Sequence, residues 1–137
     1  MVYAATGKVL LLKRADHPEF WQSVTGSLTW EETDPRVAAE RELFEETGIV
    51  AAGESLRDLG MTFRFPIFPE WRYRYAPDVS ENIEHAFAYV VPDEIPVKLN
   101  AEEHSEFVWV SFEEAVARAT SWSNRDVIER IAAGVGV

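Results

Sequence analysis

The sequence predicts an α/β sandwich in which a mixed β-sheet lies between helices. Strand-like runs alternate with helical runs along the chain, and short turn signals join several of the strands as in hairpins. With 137 residues, 47% of them hydrophobic, the chain is long enough for one sizeable core and too short for two comfortable domains. We therefore expect residues 1–137 to form a single domain.

The chain opens with a predicted hairpin. Two strand-like runs, residues 2–5 and 8–13, flank the turn signal Thr6-Gly7. Because the first run begins almost at Met1, we expect the first strand to be short and the hairpin to be uneven.

The most clearly marked helix spans residues 35–47. Asp34 is a good N-cap, Pro35 suits the first helical position, and Gly48 follows the last turn as a stop signal. Further along, residues 56–65 and 83–91 are rich in aromatic and β-branched side chains and predict strands. The segment between them, residues 66–80, predicts a long functional loop.

A short strand and two helices are predicted for the last third of the chain. The strand covers residues 107–110, and Ser111 with Glu114 forms a capping box for a helix through about Ala119. A second helix start lies within residues 123–126, and Gly134 is expected to end that helix.

Composition narrows the range of partners. The net charge of −11 repels nucleic acid backbones and anionic membrane surfaces, so we expect neither as a partner, and a polyanionic substrate requires local cations. The absence of cysteine excludes disulfides and thiolate metal sites and fits a reducing compartment. No signal peptide or long apolar run is evident, which predicts a soluble cytoplasmic protein.

Three glutamates crowd one face of the predicted helix. Glu42, Glu45 and Glu46 fall within roughly a 100° arc, whereas Glu40 lies about 160° around the helix from Glu42. Their mutual repulsion destabilises a bare helix. A hard divalent cation relieves it, because Mg²⁺ and Mn²⁺ prefer oxygen ligands and often share carboxylates with substrate phosphates.

The stretch GSLTWEETDPRVAAERELFEETGI resembles the signature of the Nudix hydrolases. That signature is Gly, five residues, Glu, seven residues, then Arg-Glu-aliphatic-any-Glu-Glu-any-Gly-aliphatic. The second half matches in full from Arg41 to Ile49. In the first half five residues separate Gly26 from Glu32 as required, but eight rather than seven separate Glu32 from Arg41. We place the extra residue near residues 36–37.

This resemblance implies a Nudix-type α/β/α sandwich and hydrolysis of a phosphoric anhydride bond. It implies that Glu42, Glu45 and Glu46 bind Mg²⁺, or alternatively Mn²⁺, at a diphosphate. The other residues of the motif are then structural, namely Gly26, Glu32, Arg41 and Gly48.

Four further segments resemble one bacterial branch of that family, the dihydroneopterin triphosphate pyrophosphohydrolases, also described as dATP pyrophosphohydrolases. They are residues 20–27, 72–77, 103–104 and 121–125. The resemblance implies cleavage of dihydroneopterin triphosphate to the monophosphate and pyrophosphate, a step of folate biosynthesis. The alternatives are a nucleotide pyrophosphohydrolase acting on dATP, oxidised purine triphosphates or dinucleoside polyphosphates, and a module that binds a diphosphate without cleaving it.

A late-loop glutamate is the candidate partner of the helix carboxylates. Glu103 is interpreted as a fourth metal ligand or as the base that activates water, although its acidic neighbours Glu102 and Glu106 fit an ordinary solvated loop equally well. Water would attack phosphorus in line, with Glu103 as first choice of base and a helix glutamate as second. The catalytic candidates are thus Glu45, Glu46 and Glu103.

Cations and aromatic residues outside the motif are candidates for substrate binding. The cations at the end of the predicted second strand, Lys13 and Arg14, would bind phosphate oxygens. Arg72 and Arg74 alternate with tyrosines, a pattern that suits either a triphosphate ligand or a dimer edge. Two tryptophans and an asparagine suit a pocket for a pterin or purine ring. For the tryptophans, a place in the core is the alternative. The candidates are Lys13, Arg14, Trp21, Arg72, Arg74, Trp122 and Asn124.

Two other groups of ionisable residues receive no role. Glu84 is interpreted as a plain surface carboxylate, with a position facing the cleft as the alternative. His17, His85 and His104 lack the spacing of a zinc site.

Overall fold

Six strands of the described residues form one mixed sheet. The computed structural model of the chain describes residues 1–24, 34–51, 56–66 and 81–135. The strands are β1 (Val2–Ala4), β2 (Lys8–Arg14), β3 (Trp21–Gln22), β4 (Leu56–Pro66), β5 (Glu81–Val91) and β6 (His104–Ser111). Their order is β3-β2-β1-β5-β4, with β6 also paired to β2.

Strand β2 is the centre of this sheet. Strand β6 pairs antiparallel with β2 along its length, so β1 and β3 share the opposite edge of β2. Among the described strands only β1 and β5 run parallel, with Val2 opposite Tyr89. The first strand is short and the hairpin is uneven, as expected.

The alternating side chains of β2 join two hydrophobic clusters, one on each face of the sheet. Val9 and Leu11 belong to the first cluster, whereas Leu10 and Leu12 belong to the second, and all four are 0% exposed. A strand buried on both faces reads as a continuous apolar run, as residues 9–12 do.

Three helices within the described residues cover the two faces of the sheet. They are α1 (Pro35–Thr47), α2 (Phe112–Arg118) and α3 (Trp122–Val135). Leu43 of α1 packs in the second cluster, whereas Ala115 of α2 and Ile128 of α3 pack in the first. The helices therefore lie on opposite faces, which confirms the predicted sandwich with a mixed sheet. None of the helices in the described ranges is long and apolar enough to cross a bilayer.

Helix α1 has the bounds that its end signals predict. Asp34 is the N-cap, and its Oδ1 accepts a hydrogen bond from the backbone N–H of Arg36 at 2.9 Å. At the other end Gly48 has φ +77°, and its N–H donates to the carbonyl oxygen of Phe44 at 2.8 Å. The local capping interactions account for both ends.

Other elements extend beyond the predicted bounds. Strand β6 begins at His104 rather than at residue 107, because β2 offers pairing partners along residues 8–14. Helix α3 begins at Trp122 and continues through Gly134 to Val135, so the prediction that Gly134 ends it is wrong. Of the predicted loop, residues 67–80 lie outside the described part of the chain.

Replacing Gly48 by Ala should lower the free energy of unfolding by about 1–2 kcal/mol, because a side chain is strained at positive φ. A Cβ atom there would also lie 3.2 Å from the Cβ of Lys98. Urea denaturation measures the change. Gly134→Ala is the matched control: it lies in α3 with nothing within 4 Å of the added Cβ, and its stability should stay equal or rise by up to about 1 kcal/mol. Equal destabilisation by both changes would contradict the cap assignment.

Candidate active site

The last turn of α1 meets the start of β6 in a group of potential metal ligands. One ligand atom each from Glu46, Glu103 and His104 lies within 4.8 Å of the others. Glu46 is 3% exposed and His104 is 2% exposed, whereas Glu103 is exposed to solvent. The group therefore has a buried side and an open side from which a ligand can approach.

Backbone contacts at the end of β2 hold Glu103 and His104 in place. The N–H of Ala15 donates to the carbonyl oxygen of Glu103 at 2.9 Å. In the β2–β6 ladder Lys13 lies opposite Glu106 and Arg14 lies opposite His104, so Ser105 is an extra residue on β6. Such a bulge redirects the side chains that precede it. Here it determines how the Glu103-His104 pair is presented beside α1.

The other two helix carboxylates share one arginine. Arg41 Nη1 lies 2.8 Å from Glu42 Oε1 and 3.0 Å from Glu45 Oε2. Burial raises the pKa of Glu42, the charge and hydrogen bond of Arg41 oppose this, and the charges of Glu45 and Glu103 raise the pKa further. The carboxylates therefore lie close enough to influence one another, and Arg41 offsets part of their repulsion.

The donor set fits a divalent ion. Carboxylate oxygens suit Mg²⁺, and an imidazole nitrogen beside them also suits Mn²⁺. Of the four predicted metal ligands, the structure brings Glu46 and Glu103 together, while Glu42 and Glu45 are ion-paired to Arg41. Direct metal binding by each of the four stays a prediction.

His104 is a member of this group that the sequence did not predict. Burial lowers its pKa, the Arg14 charge lowers it further, and Asp16 acts in the opposite direction. The lowered pKa favours the neutral ring, which is the form that can bind a metal ion. Its Nε2 lies 3.0 Å from Nε2 of Gln22, which fixes the ring against β3. The spacing test for zinc sites missed it, because its partner Glu46 is distant in sequence.

A cavity adjoins the acidic helix. Its empty volume is about 740 Å³ including the open mouth, and its lining includes Glu42 of α1, Glu84 of β5 and Asn124 of α3. Apolar side chains such as Phe63 and Val127 supply most of the remaining wall. A largely apolar cavity with a few polar groups is typical of a small-molecule site.

The predicted ring-binding residues divide between this cavity and the core. Asn124 lines the cavity, and its Oδ1 accepts a hydrogen bond from the N–H of Ser23 at 3.0 Å. Trp122 is half-exposed and contacts the cavity residue Phe63 edge to face, with ring centroids 5.5 Å apart. Trp21 is not among the described lining residues; it packs against the first hydrophobic cluster beneath the guanidinium of Arg118.

The strand-end cations already have acidic partners. Lys13 Nζ lies 3.4 Å from Glu106 Oε2, and Arg14 makes two hydrogen bonds to Asp16 at 2.8 and 2.9 Å. Both cations lie at the end of β2 that holds Glu103. Four predicted residues fall outside the described part of the chain: Gly26, Glu32, Arg72 and Arg74.

Glu84 lines the cavity and is not a plain surface carboxylate. It lies opposite Phe63 in the β4–β5 ladder, and it is only partly exposed. Burial raises the pKa of Glu84, while the terminal amine of Met1 opposes the shift. The sequence alternation along residues 83–91 was compatible with this position but did not distinguish it from solvent exposure.

A family model for the NUDIX domain matches residues 1–131. This chain belongs to the Nudix family. The dihydroneopterin triphosphate diphosphatase of Escherichia coli K12 is 43% identical over 133 residues, covering 95% of this chain and 87% of the relative. The enzyme of the same name from Haemophilus influenzae is 42% identical over 128 residues, covering 91% of this chain and 78% of the relative.

Solved structures agree with this Nudix assignment. The E. coli dihydroneopterin triphosphate pyrophosphohydrolase superposes with a TM-score of 0.77 at 43% identity, covering 94% of this chain and 88% of that one. A Nudix hydrolase from Listeria monocytogenes gives a TM-score of 0.79 at 22% identity, covering 98% and 90%, and supports the fold alone. The chain is thus a Nudix hydrolase by family, with its signature helix at α1.

Replacing Glu103 by Gln should weaken Mg²⁺ or Mn²⁺ binding to this Nudix protein at least about tenfold, because one charged ligand of the group is lost. Calorimetric titration measures the affinity, and the rise in Tm with added metal provides a second readout.

Glu102→Gln is the matched control for Glu103. It removes the same charge from the neighbouring position, which is exposed and outside the ligand group. Its metal affinity should stay within about twofold of the parent, because long-range charge is screened by salt. If the two variants bind metal equally well, Glu103 is not a ligand.

Proposed function

We propose that this Nudix protein is a metal-dependent pyrophosphohydrolase that converts dihydroneopterin triphosphate to dihydroneopterin monophosphate and pyrophosphate. The proposal depends on one observation: the group formed by Glu46, Glu103 and His104 lies near a largely apolar cavity, and Glu42 of the same helix as Glu46 lines that cavity. The names of the relatives that are 42–43% identical over most of the chain support the substrate. A cytoplasmic location is part of the same proposal.

The acidic residues would hold the divalent ion. Glu46 and Glu103 already face one another, and Glu42 and Glu45 join them once Arg41 moves from between their oxygens. When bound, Mg²⁺ or Mn²⁺ offsets the negative charge of the triphosphate and of the transition state. This also explains how a chain of net charge −11 accepts a polyanion.

Glu103 is the proposed base. It is exposed while its neighbours in the group are buried, so water reaches it from the open side. Water attacks the α- or the β-phosphorus, the anhydride bond between these two phosphorus atoms breaks, and the proton of the water passes to Glu103. The leaving group that takes the bonding electrons is pyrophosphate after attack at the α-phosphorus and the monophosphate after attack at the β-phosphorus. Glu45, or Glu46, is the second choice of base.

Cations then hold the phosphate chain. Lys13 and Arg14 lie at the strand end beside Glu103, and each is paired with a carboxylate at the surface. Exposed pairs of this kind contribute little free energy, so exchanging the carboxylate for a phosphate oxygen costs little. Arg72 and Arg74 retain their predicted role on the triphosphate.

Substrate preference is tested by comparing triphosphates side by side. Purified protein with Mg²⁺ should release pyrophosphate from dihydroneopterin triphosphate faster than from dATP, an oxidised purine triphosphate or a dinucleoside polyphosphate. Removing the metal with EDTA should abolish release. If kcat/KM is higher for one of the nucleotides than for dihydroneopterin triphosphate, that nucleotide is the preferred substrate and the pterin assignment is wrong. Tight binding in Mg²⁺ without turnover of any compound would favour a module that binds without cleaving.

Replacing Glu46 by Gln should reduce kcat by several orders of magnitude at saturating Mg²⁺, because a buried ligand charge is lost from the site. Steady-state kinetics with pyrophosphate detection measures the effect. Glu40→Gln is the control on the same helix: Glu40 is exposed and far from the group, so its kcat should be unchanged within about twofold. Near-parental turnover by the Glu46 variant would show that the metal assignment is wrong.

A further inference from the structure

Glu84 is a carboxylate of the cavity that the reaction does not use. It lies on β5 opposite Phe63 of β4, it lines the cavity, and it is only partly exposed. Among the described residues it makes no hydrogen bond and no ion pair. Burial raises the pKa of Glu84, and the terminal amine of Met1 opposes this rise. Folding has partly removed this carboxylate from water, so a ligand that supplies N–H donors would restore hydrogen bonds that the carboxylate has lost.

Asn124 presents a donor to the same cavity. Its Oδ1 accepts the N–H of Ser23 at 3.0 Å, which fixes the orientation of the carboxamide. The NH₂ group is therefore the free end, and it has no acceptor among the described residues. Asn124 and Ser23 are 5% and 1% exposed, so this orientation is held by its surroundings. The polar groups that line the cavity thus include the carboxylates of Glu42 and Glu84 and the amide donor of Asn124.

These groups match one edge of a particular class of rings. A 2-amino-4-oxopyrimidine ring, which pterins and guanine both contain, carries an amino N–H and a ring N–H side by side, followed by a carbonyl oxygen. Two adjacent donors suit the two oxygens of a carboxylate, as in bidentate pairs. Adenine presents one amino group beside a ring nitrogen that is itself an acceptor, and this nitrogen repels a carboxylate.

We propose that Glu84 determines ring specificity by accepting both N–H groups of a 2-amino-4-oxo ring, while Asn124 donates to the ring carbonyl. The proposal rests on the proposed function and deepens it. Phe63, supported edge to face by Trp122, supplies an apolar surface for the flat ring. The acidic group then binds the phosphates of the substrate, and Glu84 binds its ring. Glu42 lines the same cavity as Glu84 and lies on the helix that carries the acidic group.

The deciding experiment compares dGTP with dITP, which differ only by the 2-amino group. The parent protein should prefer dGTP at least about tenfold in kcat/KM, and Glu84→Gln should reduce this preference to about twofold or less. For dihydroneopterin triphosphate kcat/KM should fall at least about a hundredfold in the variant, because one acceptor becomes a donor facing an N–H. For dATP it should stay equal or rise.

Retained dATP turnover shows that the variant folds and that its metal site works. Glu113→Gln, on the exposed face of α2, is the matched control and should change none of these values. If kcat/KM falls equally for all substrates, Glu84 acts in folding or in catalysis. If the ratio of kcat/KM for dGTP to that for dITP is unchanged, Glu84 does not recognise the ring. Either result overturns the proposal.

A binding measurement separates this proposal from the proposed function. 7,8-Dihydroneopterin, which carries no phosphate, is titrated calorimetrically into parent and Glu84→Gln proteins in metal-free buffer. Binding by the parent that the variant loses supports the role of Glu84 even if no triphosphate is hydrolysed. Hydrolysis of dihydroneopterin triphosphate at equal rates by both proteins leaves the function standing and overturns the role of Glu84.

Discussion

Repulsion among carboxylates that the fold holds close together is the constraint on which the site depends. Burial and the charges of Glu45 and Glu103 raise the pKa of Glu42, and the guanidinium of Arg41, which bridges Glu42 and Glu45, opposes this rise. The hydrophobic clusters on both faces of the sheet stabilise the fold that holds these carboxylates close together. The proposed metal site would therefore be preorganised for a positive ion, because folding already brings the carboxylates together.

The same strand organises the core and the site. Strand β2 joins the two clusters through alternate side chains, and its end holds the backbone of Glu103 through Ala15. The bulge in its pairing with β6 lies at that end. A rigid central strand thus fixes the residue proposed as the base relative to α1. This arrangement gives a loop residue the positional accuracy of the sheet.

Local signals account for what was predicted correctly. The bounds of α1 follow from Asp34, Pro35 and Gly48, whose effects act within one turn of the helix. The meeting of Glu46 with Glu103 had support only from the family resemblance, and the structure now shows their proximity. The end of α3 was misplaced because Gly134 is tolerated within the last turn, where few contacts oppose either conformation.

By itself the sequence determined the fold class, the signature helix and the acidic character of the site, because periodicity, caps and charge spacing act between near neighbours in the chain. Only the tertiary structure decided that His104 joins Glu46, that Trp21 packs in the core, and that Glu84 faces a cavity. Each of those outcomes depends on strand register or on packing between distant segments. One residue of slip in register moves a side chain to the opposite face of the sheet, and no local pattern fixes that choice.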